Sequence, residues 1–316
     1  MQNTKITILM ATYNGSKYIE QQLDSIINQT YENWELWIRD DLSTDSTIEI
    51  INKYVKKDLR IHLYKDNLEN LGSVMNFSTL LSNVALHNYV MFSDQDDIWL
   101  PIKIEVTLKR MLEQEKGNSN PILIYSLLTL VDNSLNTINM KRYNLPTHIK
   151  INDIIAQNFI YGCTMMLNKE LFDLCTPISD QAENHDYWIA LIAANYGSIY
   201  LVEQPLILYR QHDNNVSGSY KNSLFSYRLK RILNNNYENQ LTAKLLMYDA
   251  LVKHLNSLNM NTDFFQKYIS IFKKNRFYRL YFITKYKIYK HGSGNMATIM
   301  HYVSLFLYLN YDRKIK

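Results

Sequence analysis

The chain has 316 residues, 47% of them hydrophobic, and its 25 tyrosines stand against only 8 glycines and 5 prolines. That supplies a large core and excludes collagen-like, linker-rich and low-complexity classes. The net charge of +4 hides an asymmetry: residues 1–218 hold 17 Lys and Arg against 26 Asp and Glu, a net of −9, whereas 219–316 hold 17 against 4, a net of +13. The basic part calls for an acidic partner, such as phospholipid head groups, nucleic acid or a phosphate-bearing substrate.

No internal repeat is visible. Cys163 and Cys175 lack the spacing of zinc or redox sites and give no disulfide framework, so a reducing compartment, the cytosol, is expected. No basic and apolar leader precedes the first predicted strand, which argues against secretion.

Taken in order, Ile6 to Ala11 is a short apolar run that breaks at Thr12-Tyr13-Asn14-Gly15, as a buried strand does on entering a loop. A helix is predicted from Tyr18 to Asn28, then a strand over Trp34 to Arg39 that stops at Asp40-Asp41. A helix over Thr47 to Val55 follows, with Asp45 or Ser46 as its N-cap, then a strand at Ile61 to Tyr64, a helix from about Ser73 to Ala85 and a strand at Tyr89 to Phe92. Such alternation predicts right-handed βαβ units and a mainly parallel sheet with helices on both faces. Ligands of such sheets bind beyond the carboxyl ends of the strands, where Thr12-Tyr13-Asn14, Asp40-Asp41 and Asp94-Gln95-Asp96-Asp97 all fall.

Asp94, Asp96 and Asp97 crowd like charges together, which costs free energy unless a cation, a hydrogen-bond network or water compensates. Two readings stand: a site for a hard divalent ion, or an acidic turn in which one Asp caps a helix beginning near Leu100, with Pro101 in its first turn. The convergence of three polar strand ends favours the first. No GxxxxGK[ST] or GxGxxG turn is present, so phosphates have no glycine-rich cradle and an aspartate-held metal would take that place. Tyr13 suits stacking on a base and Asp41 suits hydrogen bonds from a base or sugar, although Tyr13 reads equally as an ordinary loop aromatic.

The segments Ile8 to Asn14, Asp40 to Thr47 and Ser93 to Trp99 together resemble the inverting family-2 glycosyltransferases with a GT-A fold, over about residues 5–218. The DQDD form with Trp99 looks most like a bacterial rhamnosyltransferase branch. The resemblance implies that Ala11 and Tyr13 flank the nucleotide base, with Asn14 and Gln95 in the same nucleotide-sugar site, and that Asp41 reads the base's imide edge. It further implies that Asp94 contacts the ribose and metal shell and that Asp96 ligates Mn²⁺ or Mg²⁺. Leu42 stands where the family carries glycine, so the loop is expected to avoid a positive-φ turn there.

Further along, Pro121 to Ser126 begins a strand that Leu127 to Asp132 continues or follows, and Ile151 to Asn158 looks helical. Phe159 to Asn168 resembles the family's acceptor-facing floor, where Gly162 suits a close backbone approach. Cys163 reads as a small buried residue, not a nucleophile. Asp186 precedes an apolar helix, Ile189 to Tyr196, and reads either as its cap or, by the resemblance, as the base that deprotonates the acceptor. Trp188 suits stacking on an acceptor sugar or a place in the core; His185 is the weaker candidate. Arg210 and His212 follow the strand Pro205 to Tyr209 and look like the family's diphosphate-closing segment. Arg210 would pair with phosphate oxygens and His212 would add a metal or phosphate contact.

Beyond Gly218 the pattern is helical and aromatic, and between Ile269 and Arg279 cations interleave with aromatics. No nucleic-acid-binding pattern supports that partner. A peripheral contact with an anionic membrane fits better. Met296 to Leu309 is too short to span a bilayer, so the region is expected to lie on the membrane, dock on the core or mediate a homo-oligomer.

The chain is therefore expected to be α/β, with a GT-A catalytic domain over 1–218 and a helical C-terminal region over 219–316. The expected activity is metal-dependent transfer of a sugar from a nucleotide diphosphate to a glycan or lipid-linked glycan, at the cytoplasmic face of the membrane. Rhamnose from dTDP-rhamnose is the first donor and a UDP-hexose (galactose, glucose or N-acetylhexosamine) the second. A catalytically silent binding module is the contrasting reading.

Overall fold

A computed structural model describes residues 4–84, 86–117, 119–138, 146, 148–212, 236–288 and 294–307. Strand β1 (Ile6–Thr12) sends Ile6, Ile8 and Met10 into one core layer and Leu9 into the other, the alternation of a strand covered on both faces. After it come α1 (Ile19–Ile27), β2 (Trp34–Asp40), α2 (Thr47–Lys57), β3 (Ile61–Leu63), α3 (Gly72–Asn83) and β4 (Tyr89–Ser93). β1 runs parallel to β2 and β4, and β2 to β3, as the sequence predicts.

The second half is β5 (Ile98–Trp99), α4 (Lys103–Gln114), β6 (Ile122–Val131), α5 (Ile151–Ile154), β7 (Met165–Asn168), α6 (Lys169–Cys175), α7 (His185–Tyr196) and β8 (Ser198–Arg210). β7 lies antiparallel between β4 and β6, while β8 pairs parallel with β6 and antiparallel with β5. The sheet order is β3-β2-β1-β4-β7-β6-β8-β5, so the sheet is mixed, with its parallel part in the first half. Apolar faces of α1, α2 and α4 cover one side; α3 and α7 cover the other. The strand order reverses between β1 and β4, and the crevice that this opens at their carboxyl ends is where Tyr13 and Asp94 emerge.

Two expected helices change. The one placed near Leu100 begins at Lys103, because Ile98 and Trp99 pair with Leu208 and Ile207 and the Leu100 N–H donates to Leu206 O at 2.9 Å. Its N-cap is Ile102, so no aspartate caps it and that reading of the acidic turn fails. The helix expected over Ile151 to Asn158 stops at Ile154, and the Asn158 side chain turns the chain by accepting from the Ile160 N–H.

Four helices follow: α8 (Asn236–Ser257), α9 (Asp263–Ser270), α10 (Arg276–Lys285) and α11 (Gly294–Leu307). Leu241, Leu245, Tyr248, Leu251 and Leu255 of α8 share one core with Phe77 of α3 and Trp188 of α7, so this part of the basic region docks on the core. The expected division at residue 218 lies outside the described residues.

At the end of β2 the buried Arg39 guanidinium binds Asp41 at 2.7 Å and Asp66 at 2.7 Å. Removing one member of a buried ion pair strands the other charge. Arg39→Met is therefore expected to cost about 3–5 kcal/mol in denaturant-induced unfolding; a cost near zero would show that the pair does not hold this corner.

Candidate active site

The β1 loop is stitched to the β2 loop by small polar side chains. Asn14, in the left-handed region at φ 48°, donates its N–H to Ser43 Oγ at 2.8 Å, and its Oδ1 accepts from the Thr44 N–H at 2.8 Å. Gly15 N–H donates to Thr47 Oγ1 at 2.8 Å. Leu42 sits at φ 65°, against the expectation that a bulky residue keeps this turn out of the left-handed region. The flanks over-determine it: Asp40 accepts from the Ser43 N–H and hydroxyl, Asp41 is locked, and the Leu42 side chain points to solvent, 57% exposed. Such strain costs on the order of 1–3 kcal/mol.

Three residues expected to touch the nucleotide have other work. Asp41 is buried, and its carboxylate accepts from Arg39, from the Leu71 N–H at 2.9 Å and from the Gly72 N–H at 2.7 Å, where α3 begins. It anchors a helix start and presents no free edge to a base. The Gln95 amide is paired with the backbone of Tyr13, accepting from its N–H at 2.9 Å and donating to its O at 2.9 Å. A Cβ on Gly15 would stand 2.2 Å from Gln95 Oε1, so glycine is required for this clasp, a need the sequence did not signal. Asn14 acts as a stitch between loops. Tyr13 remains 49% exposed beside the crevice, and Ala11 is half-buried against the core at the end of β1.

Around the end of β4 four carboxylates converge. Asp96 Oδ2 lies 2.7 Å from His212 Nε2, and the His212 ring stacks on Tyr18 with centroids 5.1 Å apart. Asp97 is buried and its Oδ1 accepts from the Arg210 N–H at 3.2 Å. Asp94 is half-buried, and burial, followed by the charges of Asp96 and Asp186, raises its carboxyl to about 7. Asp186 stands in the first turn of α7, whose N-cap is Asn184, so it is not the cap. Its Oδ2 accepts from the Gly162 N–H at 3.1 Å, and its buried Oδ1 has no hydrogen-bond partner among the described residues. Burial raises it to about 7.

Arg210 does not face a diphosphate. Its buried guanidinium donates to Asp96 O at 2.9 Å, Asn133 O at 2.8 Å and Gln21 Oε1 at 2.7 Å, and stacks over Tyr18 at 4.6 Å. It ties the β8 end to the acidic turn. Trp188 is fully buried and its Nε1 donates to Cys175 O at 3.0 Å, so it belongs to the core and no sugar can stack on it. Gly162 makes the close approach its residue type suggests: a Cβ there would meet His185 Nε2 at 2.2 Å. His185, held neutral by burial, which lowers it to about 3, packs against Phe77 and Phe92 beneath. Tyr161, 41% exposed and electrostatically coupled to Asp186, is a mouth residue that the sequence reading missed.

Asp96 Oδ2 and His212 Nε2, 2.7 Å apart, offer a carboxylate oxygen and an imidazole nitrogen, donor types that suit Mn²⁺. Asp94, Asp97 and Cys163 form a second set, with one ligand atom of each within 4.8 Å of the others. Burial and the neighbouring carboxylates push the Cys163 thiol well up, so this second set fits a hard ion poorly.

The glycosyl transferase family 2 model matches residues 7–174. The chain is 31% identical over 266 residues to the dTDP-rhamnosyl transferase RfbG of Shigella flexneri, covering 78% of this chain and 87% of that one. It is 28% identical over 196 residues to the Escherichia coli UDP-Glc:alpha-D-GlcNAc-diphosphoundecaprenol beta-1,3-glucosyltransferase WfgD, covering 62% and 72%. Among solved structures, S. aureus TarS 1-349 with UDP-GlcNAc superposes with TM-score 0.53 at 18% identity, covering 80% of this chain and 72% of that one. The mannosyltransferase PcManGT of Pyrobaculum calidifontis with GDP-Man and Mn²⁺ superposes with TM-score 0.51 at 14% identity, covering 96% and 81%. The crevice at the β1–β4 switch point thus lies in a GT-A fold, and the chain belongs to glycosyl transferase family 2 and is a glycosyltransferase.

Proposed function

We propose that the chain transfers a sugar, with inversion, from a nucleotide diphosphate to a glycan or lipid-linked glycan, and that Asp96 and His212 hold the divalent ion of the donor with Asp94 on its nucleotide side. The observation that carries this is the asymmetry of Asp186. One oxygen is fixed by Gly162 N–H while the other is buried without a hydrogen-bond partner among the described residues, and the charge of Asp186 acts on Asp94. A carboxylate so held takes the proton from the acceptor hydroxyl as its oxygen bonds to the anomeric carbon and the bond to the nucleotide diphosphate breaks. Mn²⁺ or Mg²⁺, when bound, supplies charge neutralisation for the leaving diphosphate. Tyr13 and Ala11 border the nucleotide pocket, and Gly162 lines the acceptor side.

Rhamnose from dTDP-rhamnose is the donor we favour, on the strength of the Shigella relative's name. A UDP-hexose is the second reading, supported by the names of the E. coli relative and of the TarS complex. The functional division is between a catalytic part ending near residue 218 and the basic region after it.

That region also supports a peripheral place on the cytoplasmic face of a membrane. Phe277, Tyr278 and Tyr281 are exposed on α10, with Lys285 in its last turn, and residues 264–311 contain eight Lys and Arg and no acid. Among the described residues no helix is long and apolar enough to cross a membrane.

Asp96→Asn is expected to abolish metal-dependent transfer or hydrolysis of the nucleotide sugar; unchanged turnover would favour a silent binding module instead. Asp186→Asn is expected to lower kcat by about 10²–10⁴-fold with donor binding retained. Because Asp186 acts ionised and titrates at about 7, kcat/KM of the wild type should fall about tenfold per pH unit below that value, and a profile flat down to pH 5 would exclude it as base. In flotation assays the chain should rise with vesicles containing anionic lipid and not with neutral ones; absence from both would remove the membrane contact.

A further inference from the structure

Two stretches of chain meet at Asp186. One runs from the end of α5 through Ile155 and Ala156 to Gly162; the other is the turn into α7, from Glu183 to Tyr187. They touch where the Gly162 N–H donates to Asp186 Oδ2 at 3.1 Å. Behind that contact, two side chains of α8 bridge the same two stretches again. Tyr248 donates its hydroxyl to Ile155 O at 2.6 Å and stands 2.9 Å from the Tyr187 hydroxyl, which itself lies 3.0 Å from Ile155 O. Lys244, one helical turn earlier on the same face, reaches Glu183 Oε2 at 3.3 Å and Ala156 O at 3.4 Å, with its Nζ 4.8 Å from the centroid of the Tyr187 ring. Between the two, Met247 Sδ accepts from the Glu183 N–H at 3.4 Å.

Packing alone does not ask for these polar groups. Leu241, Leu245, Leu251 and Leu255 already bury α8 in the core, where a phenylalanine would fill the place of Tyr248 with no hydroxyl to satisfy. A buried hydroxyl adds direction, because it is costly unless its partner stands in one place. Lys244 and Tyr248 each direct their polar atoms to both stretches. We propose that α8 is a clamp on the base, with Lys244 and Tyr248 as positioning residues that keep one oxygen of Asp186 on the Gly162 N–H and leave the other for the acceptor. Although it follows the catalytic part in the chain, α8 thereby serves the transfer step itself. This role rests on Asp186 being the base, and one of its tests needs no turnover, so that the two can fail separately.

The full chain is compared with the pair Lys244→Met and Tyr248→Phe, which keeps the side-chain stems, leaves the partly exposed Glu183 to water and leaves Ile155 O the Tyr187 hydroxyl. Amide hydrogen exchange is expected to rise at least about tenfold over residues 157–164 and 183–188 and to stay unchanged over β1 and β4. With Mn²⁺ present, dTDP and UDP should bind within about twofold of their wild-type affinity, while kcat for hydrolysis of dTDP-rhamnose or UDP-glucose, water standing in for the acceptor hydroxyl, falls at least about tenfold. Lys244→Arg should keep the wild-type kcat. In an Asp186→Asn background the pair should cause no further loss, because positioning acts only through that carboxylate. A loss of equal size in both backgrounds, or unchanged exchange over the two stretches, would overturn the proposal. Unchanged hydrolysis in Asp186→Asn alone would sink the base reading, and exchange would still decide whether α8 holds the stretches together, as it would for a chain that hydrolyses neither donor. If the pair does not fold, Lys244→Met alone is read in the same way.

Discussion

Four carboxylates, Asp94, Asp96, Asp97 and Asp186, meet where β4 ends, and their repulsion in a half-buried crevice governs what surrounds them. Water alone cannot screen charges so placed, so protein groups take up the load. His212 faces Asp96, the Arg210 backbone faces Asp97 and the Gly162 backbone faces Asp186. The Arg210 guanidinium closes the arrangement by binding Asp96 O and the loop at Asn133. What remains is the raised carboxyl of Asp94 and one buried oxygen of Asp186 without a hydrogen-bond partner among the described residues.

Holding these groups in place requires close approaches that only missing side chains permit. Gly15 admits the Gln95 amide and Gly162 admits the His185 ring, so one glycine sits under each side of the crevice. The C-terminal helices contribute from behind. Tyr248 of α8 donates to Ile155 O at 2.6 Å and meets the Tyr187 hydroxyl at 2.9 Å, one residue after Asp186. The basic region is therefore joined to the segment that carries Asp186, while α10 turns its aromatic and cationic face outward.

The strands β1, β2 and β4, the loops at their ends and the aspartates of the acidic turn were legible in the sequence because each is a local pattern: an apolar run, a break, a cluster of like charges. Asp96 and His212, each assigned to the site by resemblance to a family and not by periodicity, come within 2.7 Å of one another although 116 positions separate them. Misreadings fell on residues whose type suits two tasks. Arg210 and Asp41 have the chemistry to bind phosphate and base, yet each is spent on protein acceptors and donors; Trp188 is large and apolar enough to be core, and is.

What the sequence by itself determined is the α/β order, the strand ends that meet at the crevice and the cluster of carboxylates after β4. Hydrophobic period and local charge density are properties of neighbouring residues and survive without the fold. What only the tertiary structure decided is which polar groups remain unsatisfied. Lys103 is an ordinary lysine at a helix start until burial takes its water away, and Leu42, expected to keep its turn out of the left-handed region, is held in it by the bonds of Asp40 and Asp41. Satisfaction of a buried group depends on partners distant in the chain, and no local pattern records them.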